Sequence, residues 1–265
     1  MPVYSLPEVA TPLIPKERVI TSSIDLSNDY GTPNLAFLYH GLSNAGDLAS
    51  LWKDVDSWNA WELSIAEEHV VAQLDNDNLP GDDSISSRMI RSAYRGKVIA
   101  TLREQAQSPW LIKNSSPSPK EFEGDIKKDE VNAKVRERLR EFYSTSGVLT
   151  NNLVINIIAN VIASTQDVSP RHVLSDVQLL HDSTVQDAYP GIKQSNFIVT
   201  QAKLAASDDV HLTVEWVDSG FRLDTAAWRE YSGNEETQER IKAGRKILQE
   251  MRLNVNDQVV PTGEI

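Results

Sequence analysis

Apolar residues recur at helical spacing over much of the chain. Leu48, Leu51, Trp52 and Val55 fall at i, i+3, i+4 and i+7, the stripe of an amphipathic helix. Leu63, Ala66, Val70 and Leu74 share a face further on, and Asp56 or Ser57 can cap a second helix ending near Leu74. Residues 75–83, DNDNLPGDD, read as a turn-rich loop. A helix from about Ser84 to Gln107 follows, capped by Asp83 or Ser84. Val131, Val135, Leu139 and Phe142 keep one apolar face through the densely charged stretch 121–145. Residues 149–164 are apolar nearly all round and predict a central buried helix. Ser169-Pro170 supplies an N-cap and first-turn proline for one more helix, ending before Pro190-Gly191.

The period changes towards the C-terminus. Val210, Leu212, Val214 and Trp216 alternate with polar residues, as in a half-buried strand. Asn196 to Gln201 can pair with it, or can be helical. Asp218-Ser219-Gly220 reads as a turn. Asp224 or Thr225 opens a short helix carrying Trp228 and Tyr231, and Asn234 caps a last helix with acids first and bases last, as the macrodipole favours. The two ends read as arms. Residues 1–34 hold five prolines among many apolar side chains, so this stretch is expected to be extended and to seek a groove. Residues 254–265 cannot continue the last helix on this reading.

The expected architecture is therefore mainly α, a helical body with a small C-terminal part of α+β character containing a β-hairpin, and extended N- and C-terminal arms. Its expected divisions are an arm at 1–34, a helical part at 35–107, a linker at 108–120, a second helical part with the small β element at 121–253, and an arm at 254–265. The linker rests on Pro109, Pro117, Pro119 and four serines.

Charge adds an asymmetry. The net charge is −12, which disfavours generic adhesion to nucleic acid or anionic membrane. Yet Arg88, Arg91, Arg95, Lys97, Arg103, Lys113 and Lys120 are opposed only by Glu104 between Ser84 and Lys120. Cysteine is absent, which removes disulfides, thiolate metal sites and cysteine nucleophiles. No apolar run is as long as a spanning helix requires. The first residues lack the basic and apolar regions of a signal peptide, so the expected location is the cytoplasm or a virion.

The Arg stripe is the most specific candidate. Arg88, Arg91 and Arg95 share a helix face at i, i+3 and i+7, with Lys97 beside them and Arg103 two turns on. Guanidinium pairs bidentately with phosphate, so these five residues are the expected nucleic-acid contacts. The alternative is a face neutralised by carboxylates elsewhere in the chain. Asp75, Asp77, Asp82 and Asp83 fail as a calcium loop, because Leu79, Pro80 and Ser86 stand where ligands and the turn glycine are needed. His181-Asp182 matches the metal-binding dipeptide of phosphohydrolases without their other ligands. Trp52, Trp58 and Trp61 fit a core better than a binding platform. No P-loop, dinucleotide fingerprint, nucleophile elbow or zincin motif occurs.

The leading functional expectation is a non-enzymatic subunit that self-assembles through its arms and coats nucleic acid, single-stranded RNA above all, with no cofactor and no membrane partner. It would follow the design logic of filamentous-virus coat or nucleocapsid proteins without matching a motif of theirs. The alternatives are a metal-dependent hydrolase using His181 and Asp182, and an adaptor that binds protein partners.

Overall fold

The computed structural model describes residues 6–9, 25–32, 34–40, 48–105, 108–144, 171–182, 187–204 and 208–259. Its strands are β1 (Leu35–His40), β2 (Leu111–Lys127), β3 (His172–Asp182), β4 (Asp187–Lys203) and β5 (Asp209–Leu223). Its helices are α1 (Leu48–Asp75), α2 (Ile85–Glu104), α3 (Val131–Ser144), α4 (Thr225–Ser232) and α5 (Glu235–Val259). A 3-10 turn at Leu26–Asp29 precedes β1 and another at Lys128–Glu130 precedes α3.

The strands form a single mixed sheet in the order β1-β3-β4-β5-β2. β1 runs parallel to β3, and the other neighbours are antiparallel. Each face carries its own core. Leu35, Val173, Val177, Ile192, Phe221 and Leu223 point to one face and join buried side chains of α1, α2, α4 and α5. Leu174, Phe197, Val199, Leu212, Val214 and Trp216 point to the other and meet Val131, Val135, Leu139 and Phe142 of α3. The alternation that places consecutive residues on opposite faces of a strand accounts for the split.

A mainly-α body is overturned by this five-stranded mixed sheet, which stands beside five helices. Three errors produced it. The helix expected after Ser169-Pro170 is instead β3 and the start of β4. The central strand β3 is buried on both faces at Val173, Leu174, Val177 and Asp176, so it shows no alternation and its apolar spacing imitates a helix. The expected linker 108–120 is largely the first half of β2. Proline is tolerated there because β2 is an edge strand, and its ladder is irregular between Lys113 and Ser118. Residues 35–40, assigned to a helical part, form the opposite edge strand.

Other elements fall where their chemistry places them. α1 is one continuous helix rather than two. α2 is capped by Ser84, whose side chain accepts from the Ser87 amide. Asp82 accepts from the Ser84 amide and the Ser87 hydroxyl, and these bonds hold its carboxyl down at about 2. Asp224 accepts from the Ala226 and Ala227 amides at the start of α4, and Asn234 from the Thr237 amide at the start of α5. α5 continues to Val259, through the first half of the expected C-terminal arm. The apolar run 149–164 lies outside the described residues. Among the described residues no helix is long and apolar enough to cross a membrane.

Two tight approaches seat the helices. A Cβ on Gly96 would lie 2.8 Å from Val173 Cγ2, so the glycine lets α2 rest directly on β3. A Cβ on Gly244 would lie 1.7 Å from the Ala60 carbonyl oxygen, so α1 and α5 touch backbone to backbone. Trp61, Trp110 and Trp228 pack edge-on with centroids 5.2–5.8 Å apart and close the core where α1, α4 and the start of β2 meet. Trp58 is fully buried beside them, as expected of a core residue.

Candidate functional site

The helix predicted to carry a basic stripe does carry it, but most of the stripe faces inward. Arg91 donates to both Asp29 oxygens, at 2.9 and 2.7 Å, and to the carbonyls of Pro80 and Asp82. Arg95 donates to Asp29 at 2.8 Å and to Glu67 at 2.5 Å. The Tyr30 hydroxyl also donates to Glu67, at 3.1 Å, and burial first, then the Glu67 charge, pushes the phenol pKa well up. Arg91, Arg95 and Asp29 have side chains no more than 1% exposed. Arg103 forms a second buried pair, donating to Glu62 at 2.9 and 2.6 Å and stacking over Trp58. It also donates to Ser175 and Gln194, tying α2 to the sheet.

The remaining two are surface residues with partners. Arg88 makes a bidentate pair with Asp83 at 2.8 and 2.6 Å. Lys97 Nζ donates to the carbonyls of Leu6 and Pro7 and lies 3.3 Å from Glu8. The expected nucleic-acid stripe is corrected at Arg91, Arg95 and Arg103, which are buried in ion pairs, while Arg88 and Lys97 stay at the surface. A phosphate cannot reach guanidinium groups already held by buried carboxylates, and removing them would leave Asp29 and Glu62 as uncompensated charges.

The described parts of the N-terminal arm also fold onto their own body. Leu6 and Val9 pack against the larger core, and the 3-10 turn delivers Asp29 to two arginines. His181 and Asp182 end β3, opposite Ala188 and Asp187, and their side chains lie outside what is described. Among the described residues no cluster of three or more histidine, aspartate or glutamate side chains is placed to hold a metal.

A cleft of about 410 Å³ lies between the C-terminal half of α2 and the sheet. Its position follows from how α2 is seated. Gly96 brings the helix down on β3, which leaves the neighbouring strip of β4 and β5 uncovered. The ladder sets the floor: Asn196 is paired with Val217 and Ile198 with Glu215, and alternation turns all four to the α2 side. Ser219 extends the floor, while Lys97, Thr101 and Glu104, one helical turn apart, make the wall. Arg171, just ahead of β3, and Pro117 of β2 complete the rim.

The charges around this cleft are not equivalent. Lys97 is held by residues 6–8, and Glu104 is paired with Lys113. Among the described residues Arg171 and Glu215 form no ion pair. Asn196 Oδ1 is buried and accepts no hydrogen bond. On the same strand face two residues earlier, Gln194 is fully buried and its Nε2 donates to nothing.

The opposite face has a second polar cluster. Asp218 accepts from Ser195 Oγ at 2.7 Å and Trp216 Nε1 at 2.6 Å, with Lys120 and Lys193 at 3.2 and 3.5 Å. Burial depresses the Lys193 pKa, against the pull of Asp218. The carboxylate is fully engaged, and Lys120 also donates to the Phe142 carbonyl at the end of α3. This arrangement fastens α3 to the sheet.

Of the cleft residues only Lys97 was singled out from the sequence as a site residue, and for a different role. They come from three strands and a helix, and no local motif links them.

No family model matches the chain, and no curated protein matches it either. A solved structure described as "Structure of the Evf virulence factor" is similar at a TM-score of 0.33 and 13% sequence identity, over 82% of this chain and 79% of that one.

Proposed function

We propose that the protein is a binding module that takes a small or extended ligand in the cleft between α2 and the sheet. The observation that carries this is the cleft itself, walled by α2 and floored by β4 and β5. The volume of about 410 Å³ is in the range of small-molecule sites, and the lining mixes apolar surface with a few polar groups, as such sites do. The reading is closest to the adaptor alternative. It leaves the coat expectation without its main support, because Arg91, Arg95 and Arg103 already serve the fold.

The test is ligand-observed NMR with four probe sets: small anions, cations, zwitterions and neutral amides. The native chain is compared with Thr101→Trp, which puts an indole into the cleft from the surface of α2. Binding of at least one set to the native chain, lost in a variant that melts normally, is the expected result. No binding by any set, or equal binding by the variant, rejects the reading.

A further inference from the structure

The cleft reading can be carried to a ligand class. Four charged residues border the cleft, and two are neutralised within the chain. Lys97 is engaged by the Leu6 and Pro7 carbonyls and Glu8, and Glu104 by Lys113. That leaves one cation, Arg171, and one anion, Glu215, with no ion-pair partner among the described residues.

Sheet register fixes their separation. His172 pairs with Phe197, so Arg171 comes level with Ile198, and Ile198 pairs with Glu215. Arg171 and Glu215 therefore stand in one row across the sheet, in the columns of β3 and β5, with Ile198 between them. Two strand spacings put their backbones roughly 9–10 Å apart. The next row holds Asn196. The site thus offers a guanidinium at one end, a carboxylate at the other and an apolar residue between them.

We propose that the cleft binds a zwitterion of peptide type, a di- or tripeptide with both ends free. The inference rests on the cleft being a binding site. Guanidinium suits a terminal carboxylate because the two pair bidentately. Glu215 suits a terminal ammonium. An extended peptide of two or three residues spans roughly 7–10 Å, which matches the row. A simple anion would meet Glu215, and a simple cation Arg171, so each would leave one charge of the site unanswered.

Isothermal titration calorimetry with tri-alanine tests the idea. Its N-acetylated and C-amidated forms are the controls, and Arg171→Gln and Glu215→Gln the variants. Charged hydrogen bonds of this kind are each worth about a tenfold change in Kd or more. Acetylation should weaken binding about tenfold to the native chain and have little further effect on Glu215→Gln. Amidation should behave likewise with Arg171→Gln. Both substitutions are at the surface, and an unchanged melting curve verifies each. Blocked peptides binding as tightly as free ones overturn the inference, as does a penalty from capping that persists in the matching variant. If tri-alanine fails while another probe set binds the cleft, this inference falls and the cleft reading stands. If nothing binds, both fall.

Discussion

Arg91 and Arg95 show how a side chain can be read correctly on its helix and wrongly in its environment. The i, i+4 spacing did place both on one face of α2. Their partners are Asp29, more than 60 residues earlier, and Glu67, on another helix, so no window around the stripe reveals them. Asp29 is the pivot because its two oxygens serve two guanidinium groups inside the core. Replacing it with alanine should strip both of their shared counter-ion and destabilise the protein by about 3–5 kcal/mol. Arg88→Ala should leave stability unchanged, because that pair is in solvent. Denaturant titration of both variants checks the contrast, and equal effects would mean that the buried network is not structural. His211 offers a pH test at the same scale. Its ring nitrogens lie 2.7 Å from Asp125 and 2.9 Å from Glu123 across the β2–β5 ladder, and those hydrogen bonds raise its pKa above 6.5. A raised pKa means that the folded chain holds the proton more tightly than the unfolded one. The contribution is complete below about 6.5 and fades as pH rises through the folded pKa. Proton NMR should show the His211 resonances titrating late. Asp125→Asn should shift the midpoint down, and an unmoved midpoint would contradict the pairing.

Elements were legible where one face is wet. α2 and α4 each have a polar side, a side-chain cap and a clear stop, and lie close to where the pattern put them; α5 begins at its expected cap but overruns its expected end. β5 alternates and was recognised over 210–216, but Asp218-Ser219-Gly220, expected as a turn, continue the strand to Leu223. β3 was not recognised, because both of its faces are buried and its apolar residues do not alternate. β2 was hidden by Pro117 and Pro119, which only an unpaired edge accommodates. The way α2 docks on β3 can be tested by size. Gly96→Ala brings a methyl within 2.8 Å of Val173 Cγ2, a contact with a side chain that can itself be shortened. The substitution should cost about 1–3 kcal/mol. The double variant with Val173→Ala should recover part of that loss, giving a favourable coupling between the two sites. Gly244→Ala allows no such rescue, since the obstacle is the Ala60 carbonyl itself. Thermal unfolding of the set separates the cases. A strictly additive double variant would show that Gly96 does not set the helix-to-sheet distance.

At the scale of the molecule, charge decides between the expected coat protein and the binding module. The chain carries −12 overall, and its one basic window is largely neutralised from within. Affinity for a nucleic-acid backbone rises with the number of phosphates that displace counter-ions. Among the described cations of α2, only Arg88 and Lys97 remain near solvent, and both already have acceptors. Two paired cations on an anionic body are too few to offset the repulsion of the surrounding carboxylates. The cleft escapes this objection because it answers charge locally, one group of each sign, and a zwitterion adds no net charge to the complex. Fluorescence anisotropy with a labelled poly-uridine strand should therefore show no binding near 0.15 M salt, and Arg88→Glu with Lys97→Glu should change nothing. Tight binding that weakens steeply with salt and disappears in that double variant would restore the nucleic-acid reading. It would also show that Lys97 can leave the Leu6 and Pro7 carbonyls. Tri-alanine affinity measured over the same salt range should change little, because the site and its ligand are each neutral as a unit.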